Sequence, residues 1–200
     1  MERRTLLLSL PALALLPRPA AAAPIPLADL SRYLNSLSTA EAEFTQINAD
    51  GTISTGRIFI RRPGRVRFEY APPDATLVMA GGGQVAIFDA KSNQPPEQYP
   101  LTRTPLNLIL AANVDLSRAR MVTGHREVEG TTRVRAQDPQ HPEYGSIEMV
   151  FSHRPVALRQ WIIRSEDGSE TTVILGEMTT GGNFPASYFN ITNEARRRGF

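Results

Sequence analysis

A period of two runs through most of this chain. Arg65-Val66-Arg67-Phe68-Glu69-Tyr70 sets Val66, Phe68 and Tyr70 on one side and the charges on the other. That alternation marks a strand with one buried face. Comparable stretches predict further strands at 76–80, 84–89, 131–136, 146–151, 157–164 and 170–175. Gly81-Gly82-Gly83 reads as the turn of a hairpin, and Asp167-Gly168 as a tight turn between the last two strands. The helical period appears in two places. Leu27, Leu30, Leu34 and Leu37 form one apolar stripe, and Thr104-Pro105 opens a short helix that carries Leu106, Ile109 and Leu110. The chain is therefore mainly β with short helices, built on a long antiparallel sheet. Such a sheet must cover one face, and short apolar helices lying on it would do so.

The first 23 residues read as a secretory signal. Arg3 and Arg4 supply the positive start, residues 5–16 an apolar run of 12, and Ala21-Ala22-Ala23 small residues for cleavage. The run is too short to span a bilayer. A twin-arginine route is an alternative to general secretory export. Residues 24–200 are then expected to form one domain, with 194–200 a charged, frayed tail. No internal repeat and no long linker divides it.

Loss of residues 1–23 removes three Arg and one Glu from the 22 basic and 20 acidic residues, leaving 19 of each. A balanced chain offers no electrostatic footprint for nucleic acid. Cysteine is absent, which excludes disulfides, thiol chemistry and a lipid-modified cysteine after the signal.

No catalytic pattern emerges. His125, His141 and His153 stand alone, without a second ligand at metal-type spacing. The Gly81-Gly82-Gly83 run precedes a strand, whereas a phosphate cradle needs a helix N-terminus. The expectation is a protein without catalysis, metal or cofactor.

Residues 61–67 hold four arginines, at 61, 62, 65 and 67. A two-residue Pro63-Gly64 turn would place Phe59 opposite Phe68 and Arg61 opposite Val66, making Phe59, Val66, Phe68 and Tyr70 one wall. Arg65 and Arg67 are then its solvated back, and Arg62 is left without an assignment.

Several blocks, in order, resemble the LolA-type outer-membrane lipoprotein carrier family. They are F-T-Q at 44–46, R-R-P at 61–63, F-E-Y-A-P-P-D at 68–74, L-V-M-A-G-G-G-Q-V-A-I-F-D at 77–89 and T-P-L-N-L-I-L-A-A-N at 104–113. F-P-A-S-Y-F-N-I at 184–191 is a looser match. The resemblance implies an unclosed antiparallel β half-barrel covered by an α-helical lid, with an apolar cavity between. It implies a monomeric periplasmic carrier of lipid-modified proteins. An inner-membrane ATP-driven releasing complex would supply the cargo and an outer-membrane receptor, where present, would take it.

Matched by position, the family's lid-holding arginine falls on Arg62, with Arg61 the alternative. The acyl-chain cavity would be lined by Phe44, Phe59, Val66, Phe68, Leu77, Met79, Phe88, Leu106, Ile109, Leu110, Trp161 and Ile163. A carrier or sensor of another lipid on the same fold is the alternative reading, and a secreted hydrolase a remoter one.

Overall fold

A computed structural model describes residues 23–200. The expected signal segment, apart from its last residue, lies outside the described residues. Helix α1 (Leu27–Ser36) comes first, followed by the strands β1 (Thr39–Ile47), β2 (Ile53–Arg61), β3 (Arg65–Tyr70), β4 (Leu77–Gly81), β5 (Gln84–Phe88) and β6 (Glu97–Pro100). Helix α2 (Leu106–Leu110) separates these from β7 (Val122–Val128), β8 (Thr131–Gln137), β9 (Ser146–His153), β10 (Val156–Arg164) and β11 (Glu170–Leu175). A two-residue β12 (Thr179–Thr180) and helix α3 (Ile191–Arg197) end the chain.

All strands join one antiparallel sheet in the order β6-β5-β4-β3-β2-β1-β11-β10-β9-β8-β7, with β12 alongside β1. The edges β6 and β7 do not meet, so the sheet is unclosed. This order follows from two meanders. β1 to β6 run outward one way, β7 to β11 run back inward, and the β1–β11 pairing joins them. The connection from Pro100 to Val122 must therefore travel from one free edge to the other. Its apolar residues Ile109, Leu110, Val114 and Leu116 bury against the sheet's inner face on the way.

The inner face carries the main core. Ala42 and Phe44 of β1, Ile58 and Ile60 of β2, Val66 and Phe68 of β3, and Met149, Phe151, Trp161 and Val173 across the other half join Leu30 and Leu34 of α1. Edge-to-face aromatics continue along it: Tyr70 to Phe44 at 5.0 Å, Phe44 to Phe68 at 5.5 Å, and Phe68 to Trp161 at 6.2 Å. Burial pushes the Tyr70 phenol up to about 12, Asp74 adds to the rise, and the hydrogen bond to Gln46 opposes it.

The β2–β3 register differs from the expectation. Arg61 pairs with Arg65, so the loop is the three residues 62–64, and Ile58 faces Phe68 while Phe59 faces Arg67. A slip of one residue exchanges the two faces of a strand. Ile58 and Ile60 therefore point inward with Phe68, and Phe59 points outward.

The outer face of this half is covered around Phe59, Arg67 and Met79. Residues 183–200 cross it, and Phe59 sits 5.5 Å from Phe184 and 5.4 Å from Tyr188. Arg67, expected in solvent, is 6 % exposed. Its Nη1 donates to Glu194 Oε2 at 3.2 Å and its Nε to Glu69 Oε1 at 2.6 Å, and its guanidinium lies 4.5 Å from the Tyr188 ring. Nor is the tail frayed at its start: residues 194–197 belong to α3, whose N-cap Asn190 accepts from Asn193 N at 2.8 Å. Gly81 permits the crossing, because a Cβ there would lie 2.1 Å from the Phe189 carbonyl oxygen.

Candidate functional site

The inner face and the two helices over it form the site, and Arg62 holds the three together. The side chain leaves the end of β2 and reaches inward. Its Nη1 donates to the Leu34 carbonyl in the last turn of α1, and its Nε to the Ala111 carbonyl just past α2 at 3.1 Å. Its Nη2 donates to the same Ala111 oxygen and to Asn35 Oδ1, the latter at 3.1 Å. Burial pulls the guanidinium below its ordinary value, yet arginine stays charged in any protein setting, and carbonyl oxygens are the acceptors its fork can satisfy. Gly64 N adds a backbone bond to Leu110 O at 2.8 Å from the same loop.

A second clasp involves residues the sequence reading did not single out. Asn35 bridges α1 to the segment after α2, accepting from Val114 N at 2.9 Å and donating to Val114 O at 2.9 Å. One turn earlier Ser31 Oγ accepts from Leu116 N at 2.9 Å. Their spacing of four puts both on one helix face. A polar stripe beside the leucines was the available signal, but its backbone partners lie about eighty residues away.

Of the expected lining residues, Phe44, Val66, Phe68, Ile109, Leu110 and Trp161 lie in the inner core, with Leu106 and Ile163 packed against it. Leu77, Met79 and Phe88 do not. They form a separate cluster with Ile191 on the outer side, because L-V-M-A is apolar at every position and the pairing puts Val78 and Ala80 inward. Phe59 is likewise on the outer side, for the register reason given above. Arg61 also parts from Arg62, since its Nη1 donates to Phe184 O at 2.6 Å on the outer strap.

Across the inner face the side chains of sheet and helices bury one another. An opening of about 220 Å³ remains under α2, between Pro105 and Leu108 above and Met121, Ala136 and Ile147 below. A shallower depression of about 550 Å³ runs across β2, β1 and β11 near Glu43, Thr45, Thr55 and Arg57. Its lining mixes these with Phe44, Ala71, Ile174 and Leu175, so it touches the rim of the inner core at Phe44 and Leu175 while standing open to solvent.

The histidines play local parts. His125 Nε2 lies 2.9 Å from Ile25 O, His153 Nε2 lies 3.0 Å from Thr132 Oγ1, and His141 stacks on Tyr144. Among the described residues no group of three His, Asp or Glu is placed to hold a metal. No described helix is long and apolar enough to cross a membrane.

An unclosed sheet with an apolar inner face, roofed by helices that one arginine holds through backbone carbonyls, can be set beside known proteins. The family model described as outer membrane lipoprotein carrier protein LolA matches residues 35–192. The chain belongs to the LolA family. That is a family of carriers and not of enzymes.

Its relatives are distant. An outer-membrane lipoprotein carrier protein of Dechloromonas aromatica is 28 % identical over 174 residues, covering 83 % of each chain. One of Coxiella burnetii is 30 % identical over 102 residues, 47 % of this chain, and the chain spans about half the length of that relative. Among solved structures, an outer membrane lipoprotein-sorting protein domain of Vibrio parahaemolyticus superposes with a TM-score of 0.50. It is 8 % identical, with 86 % of this chain and 97 % of that one covered, a likeness of fold alone.

Proposed function

We propose that this LolA-family chain works in the periplasm, taking lipid-modified proteins released from the inner membrane and delivering them to the outer membrane. The observation that carries this reading is the apolar inner face under two short helices pinned by Arg62. An acyl chain in water costs about 0.8 kcal/mol for each exposed CH₂, so a lipoprotein crossing an aqueous compartment needs an apolar container. Sheet and roof supply one that keeps its apolar surface covered when empty. Arg62 acts as the latch of the closed form. An ATP-driven extractor in the inner membrane does the work of loading, and reclosure of the roof favours release to an outer-membrane receptor. The deciding experiment mixes the purified protein with inner-membrane vesicles and ATP. Lipoprotein should move from the vesicles into a soluble complex with this chain. Lipoprotein that stays in the pellet at every protein concentration would rule the reading out.

A further inference from the structure

Resting on that carrier reading, we propose that the acyl chain enters through the opening under α2, between Leu108 and the floor formed by Ala136 and Ile147. The two roof helices are not equally fastened. α1 is tied to the following segment by Ser31 and Asn35, and to Arg62 through Leu34 O. Just ahead of it, Ile25 N donates to Thr132 Oγ1 at 2.8 Å, and Ile25 O meets His125. α2 has no comparable stitching. Leu101 N donates to Gly83 O at one end, while Leu110 and Ala111 take the bonds from Gly64 and Arg62 at the other. The hydrogen bonds of residues 102–109 between these points stay within the segment among the described residues. Local opening is easiest where few bonds cross to the rest of the fold, so α2 can rise while α1 stays.

The opening lies at that loosely held stretch, and its floor belongs to the inner core: Ala136 and Ile147 are each 1 % exposed. It therefore ends on side chains of the inner core and not on the outer face of the sheet. At about 220 Å³ it falls below the roughly 300–1,000 Å³ of pockets that hold compact ligands, but a slender alkyl chain entering end-on needs little width. Asn107, Gln137 and Tyr144 edge it with amide and hydroxyl groups. Such groups suit the ester and amide oxygens at the head of a lipidated cysteine, where the apolar chain gives way to the peptide.

The test exploits two features of composition: no cysteine, and a single tryptophan, Trp161, in the inner core. A bulky maleimide dye on Gln137→Cys should slow the loading of a triacylated peptide with brominated chains by about tenfold, read as quenching of Trp161. The same dye on Ala112→Cys, an exposed site past α2, should leave loading as in the parent protein. Unlabelled Gln137→Cys, which loses only one edging amide, should load several-fold faster than its dye-labelled form. A dye on Asn107→Cys, the roof side of the opening, should repeat the block. Equal loading with dye at 107, 112 and 137 would overturn the entry route while leaving the carrier reading intact. Failure of the parent protein to show any quenching would instead overturn the carrier reading on which the route depends.

Discussion

Arg61 and Arg62 are neighbours in the chain that fasten opposite sides of the same wall. Arg62 donates inward to Leu34 and Ala111, while Arg61 donates outward to Phe184. Arg61 is the last residue of β2 and Arg62 the first of the loop, and successive side chains leave an extended chain on opposite sides. Arg62→Leu is expected to load cargo and pass it on poorly, measured as lipoprotein transferred from the soluble complex to acceptor membranes. Arg61→Leu should transfer normally and lose about 0.5–1.5 kcal/mol of stability with its one strap bond. The opposite pattern would put the latch on Arg61.

Phe59 and Phe68 make a second contrast across the wall. Truncating a buried Phe to Ala costs about 3–5 kcal/mol wherever it sits, so both variants should lower the urea midpoint. Only Phe68→Ala should change the binding of a brominated acyl probe near Trp161, because only Phe68 touches the inner aromatic row. Matching changes in probe binding by the two variants would contradict the observed register.

Acid should loosen the outer strap. Burial tends to raise the Glu194 carboxyl, but hydrogen bonds and charge from Arg198 and Arg67 outweigh it and hold the group below its ordinary 4.5. A carboxylate depressed in the folded state contributes fully above its unfolded value and loses that contribution as pH falls through the folded one. Urea midpoints of the parent protein should therefore drop below about pH 4.5 more steeply than those of Glu194→Gln. Above that range the parent should be the more stable of the two. Parallel curves would remove Glu194 as a source of the acid sensitivity.

Asn35→Ala should separate α1 from the segment after α2. The variant leaves Val114 N without its acceptor, a loss of about 1–3 kcal/mol if the group stays buried. Amide exchange at Val114 should quicken, and quicken more than at Leu110, whose neighbourhood is still held by Arg62 and Gly64. Unchanged exchange at Val114 would show that the clasp does not hold the segment.

Much of the sheet was legible because one-sided strands announce themselves. β3, β8 and β11 alternate, and their boundaries fall within a residue or two of the expectation. The edge strand β7, V-T-G-H-R-E-V, was not read, since its residues are half-buried and follow no clean period. Ile58-Phe59-Ile60 defeated the register for a different reason. Three apolar residues in a row satisfy either face, so only the length of the loop at 62–64 decides, and composition does not give that length. The same holds for Leu77 to Ala80, apolar on both sides because both sides are covered. What covers the outer side is the strap, and its arginine-rich end suggested solvation. Asn190 ahead of Ile191-Thr-Asn-Glu was a readable cap for α3, but nothing in that stretch named Arg67 as the partner of Glu194. Arg62 was placed by family resemblance and not by pattern, and its acceptors are main-chain oxygens that no side-chain identity encodes.

The connection that leaves β6 and enters β7 has a mechanical consequence. It is anchored at both free rims of the sheet, and a chain of fixed length reaches at most about 3.3–3.6 Å per residue. Any lift of α2 would therefore draw on slack in a connection that both rims hold. The roof of this container is a leash as well as a cover. Its travel is bounded by the segment that carries it, because that segment is fixed to a strand at each end.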